Sequence, residues 1–168
     1  MKRLLLTLTI CLLVTSAALA GPTVTLNNLG PRKAIGGYRI GQMNMTVNQN
    51  IPGGAGYVPA GTLKTFCLEL NEDIYIGNTY GAKVNTAAVK GGEALSDPLG
   101  GATAWLYNEF IQGNITIGTA QEAFDFQAAI WELEDEDWTT YFAASEATAQ
   151  KDTWKNQALG SSWAANNH

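Results

Sequence analysis

The hydrophobic period of this chain changes once, and the change limits what it can build. Along Tyr38-Arg39-Ile40-Gly41-Gln42-Met43-Asn44-Met45-Thr46-Val47, apolar and polar residues alternate, as in a strand with one buried face. Thr23-Val24-Thr25-Leu26 alternates in the same way, and Pro52-Gly53-Gly54-Ala55-Gly56 and Pro59-Ala60-Gly61 supply turn punctuation. Thr62 to Leu70 reads as a further strand, and Asp73 to Ile76 as the start of another short one. From Asp97 onward the spacing becomes helical, with a period of about 3.6 residues. Asp97-Pro98 reads as an N-cap followed by proline at the first helical position. Ala102, Trp105, Leu106 and Phe110 then share one face, and Gly113-Asn114 ends the helix. Thr119-Ala120-Gln121-Glu122 has capping-box spacing, and Ala123, Phe126, Gln127, Ile130, Trp131 and Glu134 follow on one stripe. A third helical stretch runs from about Ala143 to Gln157. Strands followed by helices predict an α+β fold. The expected architecture is an antiparallel β-sheet or small β-sandwich in residues 21–85, with two or three helices packed on it.

The first twenty residues are expected to be a secretory signal peptide. Met1-Lys2-Arg3 gives a positive start, Leu4 to Val14 is apolar apart from threonines, and Ala18-Leu19-Ala20 gives a small-x-small cleavage pattern before Gly21-Pro22. Cleavage after Ala20 discards Cys11; the residue before that cysteine is Ile10, where a lipidation signal wants a small residue. No later stretch approaches the roughly 20 apolar residues of a membrane span, so no membrane insertion is expected after signal removal. Residues 21–168 then form a single exported domain, large enough to bury a core without cross-links. The expected location is secreted or extracellular, with association to the cell surface left open.

Composition narrows the chemistry. The chain carries ten basic and fifteen acidic residues, and two of the basic ones lie in the leader. An acidic surface argues against nucleic acid, whose phosphates want lysine and arginine. The single histidine is His168. That leaves no Ser-His-Asp triad or Cys-His dyad within the fold and makes a His/Cys zinc site improbable. No phosphate-binding glycine loop follows a strand. Neither a metal nor a cofactor is expected. The acidic run Glu132-Leu133-Glu134-Asp135-Glu136-Asp137 lacks the glycine and the alternating ligands of a calcium loop. Its charges sit unfavourably near a helix C-terminus, so either the helix stops early or the run has local partners.

Without Cys11, Cys67 is left with no disulfide partner in its own chain. It is an inert buried thiol, an inter-chain linker or a reactive group. Gln127, on the apolar stripe of the second helix, adds another option. Attack of the cysteine sulfur on the glutamine amide carbon expels ammonia and leaves an internal thioester, an acylating group for a partner amine. Such a step needs a dry pocket, oxyanion donors and a route for the proton. With no histidine available, Glu69 or Tyr107 is the candidate proton shuttle. Strand alternation puts Phe66, Leu68 and Leu70 on the plainly apolar face and Cys67 on the side of Leu63, Thr65 and Glu69. The bond therefore requires the helices to cover that second side. The competing reading makes Cys67 a small buried hydrophobe and Gln127 a hydrogen-bonding latch.

The runs Phe66-Cys67-Leu68-Glu69-Leu70-Asn71-Glu72, Gly91-Gly92, Thr103-Ala104-Trp105-Leu106-Tyr107-Asn108-Glu109-Phe110 and Phe126-Gln127-Ala128-Ala129-Ile130-Trp131-Glu132-Leu133-Glu134 resemble exported bacterial proteins of the PEP-CTERM sorting class. A cysteine followed at a distance by Gln-x-Ala-Ile-Trp also resembles the thioester domains of bacterial surface adhesins. The second resemblance implies Cys67 and Gln127 as the bonded pair and covalent attachment to an extracellular protein. The first implies a setting in an extracellular protein or polysaccharide matrix. The chain reaches Ala164-Ala165-Asn166-Asn167-His168 without the Pro-Glu-Pro signal, apolar helix and basic tail of the sorting class. A missing C-terminal strand and sorting tail are therefore expected. Two functions remain in view: a secreted or cell-surface adhesion module with an internal thioester, self-modifying but without turnover, or a non-catalytic matrix or envelope component with a buried or inter-chain thiol.

Overall fold

The computed structural model describes residues 9–13, 21–53, 56–70, 72–85, 87–88 and 97–166. Gly91-Gly92, Asn71 and His168 lie outside the described residues. The elements, in chain order, are β1 (Thr9–Leu13), β2 (Thr23–Ile35), β3 (Tyr38–Val47), β4 (Ile51–Gly53), β5 (Gly56–Val58), β6 (Gly61–Thr65), β7 (Thr79–Asn85), β8 (Ala87–Ala88) and β9 (Asp97–Pro98). Three helices follow: α1 (Gly101–Ile111), α2 (Ala120–Leu133) and α3 (Ala149–Leu159). The fold is α+β. One antiparallel sheet runs in the order β1-β7-β2-β3-β6, and β4-β5 and β8-β9 form two small separate pairs.

Alternation in β2 and β3 works as the sequence implies. Val24, Leu26, Met43, Met45 and Val47 are buried on one face, where Ile51 and Val58 of the β4–β5 pair and Tyr80 of β7 cover them. Asn27, Asn44, Thr46 and Asn48 hydrogen-bond to side chains on the other, exposed face. The β2–β3 turn is Gly36-Gly37, both at positive φ (56° and 92°). A two-residue turn of this twist requires that region at both positions, which glycine reaches without strain. Register shifts between Leu26 and Asn28 and between Leu29 and Arg32 bend the long strand. Beside the second bulge, Gly41 (φ 138°) receives α2: a Cβ there would lie 2.8 Å from the Ala123 Cβ and 2.7 Å from the Pro31 carbonyl oxygen.

Helix α2 is the centre of the molecule. Every residue from Ala123 to Trp131 is buried, because sheet, α1, α3 and the Trp138–Phe142 segment surround it. Its capping box forms: Thr119 Oγ1 accepts from the Glu122 N–H at 3.2 Å, and Glu122 Oε2 accepts from the N–H groups of Thr119 and Gly118, both at 2.9 Å. Those backbone donors hold the Glu122 carboxyl below its ordinary pKa, with Gly118 contributing most. Helices α1, α2 and α3 meet in a cluster of Phe66, Leu106, Phe126, Ile130 and Trp154.

Several boundaries depart from the sequence reading. The strand expected to reach Leu70 stops at Thr65, because Phe66 turns away to pack on Phe126 (ring centroids 4.6 Å apart) and Phe110 (5.3 Å). Asp73 to Ile76 is not a strand; the strand of this region is β7, entered after the Gly77 turn. Asp97-Pro98 pairs with Ala87–Ala88 instead of opening α1, in line with the extended backbone that proline imposes on its predecessor. Helix α1 begins at Gly101, and the free N–H of Gly100 is taken by the Glu134 carboxylate at 3.2 Å. The third helix starts six residues later than expected, capped by Thr148 and preceded by the one-turn Ala144–Glu146 3₁₀ helix. Thr148 is held by Asp125, which accepts from its N–H (2.9 Å) and its hydroxyl (2.6 Å).

The acidic run at the end of α2 finds local partners. Glu132 pairs with Lys151 and Lys155 of α3 and accepts from Trp138 Nε1; Asp137 caps the Trp138–Thr140 turn. The helix ends at Leu133, and Asp135 turns the chain at a φ of 60°. Among the described residues no cluster of His, Cys, Asp and Glu has the arrangement of a metal site, and no helix is long and apolar enough to cross a membrane.

Candidate functional site

Cys67 lies two residues past the end of β6, where its backbone has left the sheet ladder. Its N–H and carbonyl still need partners. Gln127 of α2 supplies both. The Cys67 N–H donates to Gln127 Oε1 at 3.0 Å, and Gln127 Nε2 donates to the Cys67 carbonyl at 2.6 Å. The glutamine amide thus replaces a neighbouring peptide unit, fixed at both ends, with its carbon drawn against the cysteine backbone. Gln127 is buried, at 1 % exposure.

Phe66 and Leu68 point into the helical cluster, while Cys67 packs at the edge of the sheet cluster. The helical cluster thus covers the Phe66 and Leu68 side, and of the helices it is α2, through Gln127, that reaches the Cys67 backbone. The Cys67 thiol donates to the Glu69 carbonyl at 2.9 Å. Cys67 as a residue is half-buried, yet the protein around it penalises the thiolate. Burial, with the nearby carboxylates of Glu72 and Glu69, pushes the thiol up to about 12. At neutral pH it carries its proton.

Cys67, Glu69 and Gln127 line one cavity of about 540 Å³, together with Trp131 and the inner ends of β2 and β3. Tyr75, Ile76 and Tyr141 stand exposed at its margin. Glu69 is buried. Trp131 is 4 % exposed, and its Nε1 has no hydrogen-bond partner among the described residues.

The chain matches no protein-family model, no curated protein and no solved structure at a significant level. What the site can do rests on its own geometry.

Three of the four sequence-selected residues, Cys67, Glu69 and Gln127, come together here. Tyr107 does not line the cavity. It sits on α1 with the Phe66 cluster, its hydroxyl donates to the Lys64 carbonyl at 2.7 Å, and burial pushes it up to about 12. Sequence reasoning missed the cavity wall contributed by Tyr38, Arg39, Tyr141 and Phe142. Tyr38 and Phe142 are edge-to-face at 5.7 Å, a contact across more than a hundred residues with no local signal.

Proposed function

We propose that this protein is a secreted or cell-surface binding module whose Cys67 and Gln127 close an internal thioester that acylates an amine of an extracellular partner. The observation that carries this reading is the two-point hydrogen bond between the Gln127 amide and the Cys67 backbone. It brings the electrophilic carbon to the residue that bears the sulfur. Oε1, where negative charge develops, already accepts from the Cys67 N–H, an oxyanion donor. The Cys67 sulfur adds to the Gln127 amide carbon, and its proton passes through the Glu69 carboxylate to Nε2. The carbon–nitrogen bond breaks, ammonia leaves, and the C–S bond remains. A partner amine later adds to the same carbon, the C–S bond breaks, the sulfur regains a proton, and an amide links the two molecules. Ordinary hydrolysis is slowed because the carbon is buried. Glu69 is the proton carrier of choice, since it shares the cavity and Tyr107 does not.

The raised pKa of the thiol favours a second reading, in which Cys67 stays inert and Gln127 is a structural latch in a matrix or envelope component. Intact mass of the exported chain, under non-reducing and amine-free conditions, decides between them. A thioester makes the chain lighter by one ammonia; methylamine adds its own mass to that species, and Cys67→Ala abolishes the deficit that methylamine can fill. A chain of full mass with a thiol that titrates freely after unfolding removes the thioester and leaves the latch.

A further inference from the structure

A second amine, amide and carboxylate set lies elsewhere, where β2 passes the first turn of α2. Lys33 Nζ donates to Gln121 Oε1 at 2.9 Å and to the Glu146 carbonyl at 2.7 Å, and pairs with Glu146 Oε2 at 2.8 Å. Gln121 Nε2 donates to Asp125 Oδ1 at 3.0 Å and to the Glu146 carbonyl at 2.8 Å. The Phe124 ring lies 5.1 Å from Nζ. Asp125 is buried, and the Lys33 side chain retains only 24 % exposure.

Here the amide is held at its oxygen by the amine and at its nitrogen by Asp125 and the Glu146 carbonyl, so its orientation beside Nζ is fixed. Positioning of this kind is the largest help a slow amide exchange can receive. We propose that Lys33 and Gln121 condense into an intramolecular isopeptide bond that ties the sheet to the central helix. The Lys33 ammonium gives a proton to the Glu146 carboxylate, and the freed amine adds to the Gln121 side-chain carbon. The nitrogen of the adduct loses a second proton, and the leaving Nε2 collects both through Glu146 and Asp125. The carbon–Nε2 bond breaks, ammonium departs, and a secondary amide remains. No oxidant or cofactor enters the balance.

This bond does not depend on the thioester, and a Cys67→Ala background separates the two. The test is intact mass and protease peptide mapping of the full chain carrying Cys67→Ala. The bond leaves that chain lighter by one ammonia, indifferent to methylamine, with a branched peptide joining the Lys33 and Gln121 segments. Adding Lys33→Arg, which keeps the charge and the contact to Glu146, restores the full mass. Full mass in Cys67→Ala with linear Lys33 and Gln121 peptides overturns the proposal, as does a deficit that survives Lys33→Arg.

Discussion

At the scale of single residues, Gln127 serves Cys67 whether or not its amide ever reacts. The backbone of Cys67 has left the ladder, and an unpaired buried peptide group costs about 1–3 kcal/mol. Thioester closure would remove Nε2 and leave the Cys67 carbonyl without that donor, so the open, latched state has stability of its own. The thiol proton has a measurable consequence. In the unfolded chain Cys67 ionises near its ordinary value of 9.0, whereas in the fold it keeps its proton up to about 12. Across that window the folded state binds more protons, so its stability falls as pH rises. Tyr107, raised from 10.0 to about 12, adds a fall of the same sign in the upper part of the window. Urea midpoints of the open-thiol chain are expected to drop between these limits, and Cys67→Ala to drop less steeply. Equal slopes for the two proteins would show that the thiol is not held protonated by the fold. A closed thioester has no thiol to titrate and would give the flatter curve without any substitution.

Individual elements show which signals the sequence carries well. The α2 cap was legible because all its groups lie within a few residues, Thr119 to Glu122. The β2–β3 hairpin was equally legible from the alternation of Tyr38 to Val47. Strand β7 was not: Thr79-Tyr80-Gly81-Ala82-Lys83-Val84-Asn85 has a glycine in its interior, and its register is set by Thr23–Thr25, more than fifty residues away. The strand read from Thr62 to Leu70 is right as far as Thr65 and runs too long for a related reason. Alternation gives the side of each residue but not where tertiary packing ends the ladder, and here Phe66 ends it by joining Phe110 and Phe126. The pairing of Cys67 with Gln127 could be suspected from residue types, whereas the cavity beside it draws on residues from Leu26 to Phe142. Where α2 meets the sheet, the contact depends on a missing side chain. Gly41→Ala adds strain at φ 138° and drives a Cβ against the Pro31 carbonyl and Ala123. Its expected cost is about 2–4 kcal/mol, by strain and overpacking together. Gly37→Ala, also at positive φ but with no atom within 4 Å of the added Cβ, is expected to cost about 1 kcal/mol by strain alone. Chemical denaturation of the two variants checks the difference, and equal losses would mean that α2 gives way at Gly41.

For the whole molecule, the sheet and the helices are joined mainly through α2, with Glu132 binding Lys151 and Lys155 to hold α3 beside it. The far margin of the sheet is different. Residues Thr9–Leu13, within the stretch expected to be the export leader, pair antiparallel with Gly81–Asn85 at the outside of β7. A chain beginning at Gly21 would leave that side of β7 without a ladder partner, with Lys83 as its main charged residue. Hydrogen exchange is then expected to be faster at the outward amides of 81–85 in the shortened chain than in the full one, and unchanged along α2. Equal protection in both would mean that the leader strand contributes nothing to this margin. While Thr9–Leu13 is paired to it, the outer edge of β7 is covered; a chain without those residues would offer that edge to an extended segment from another molecule.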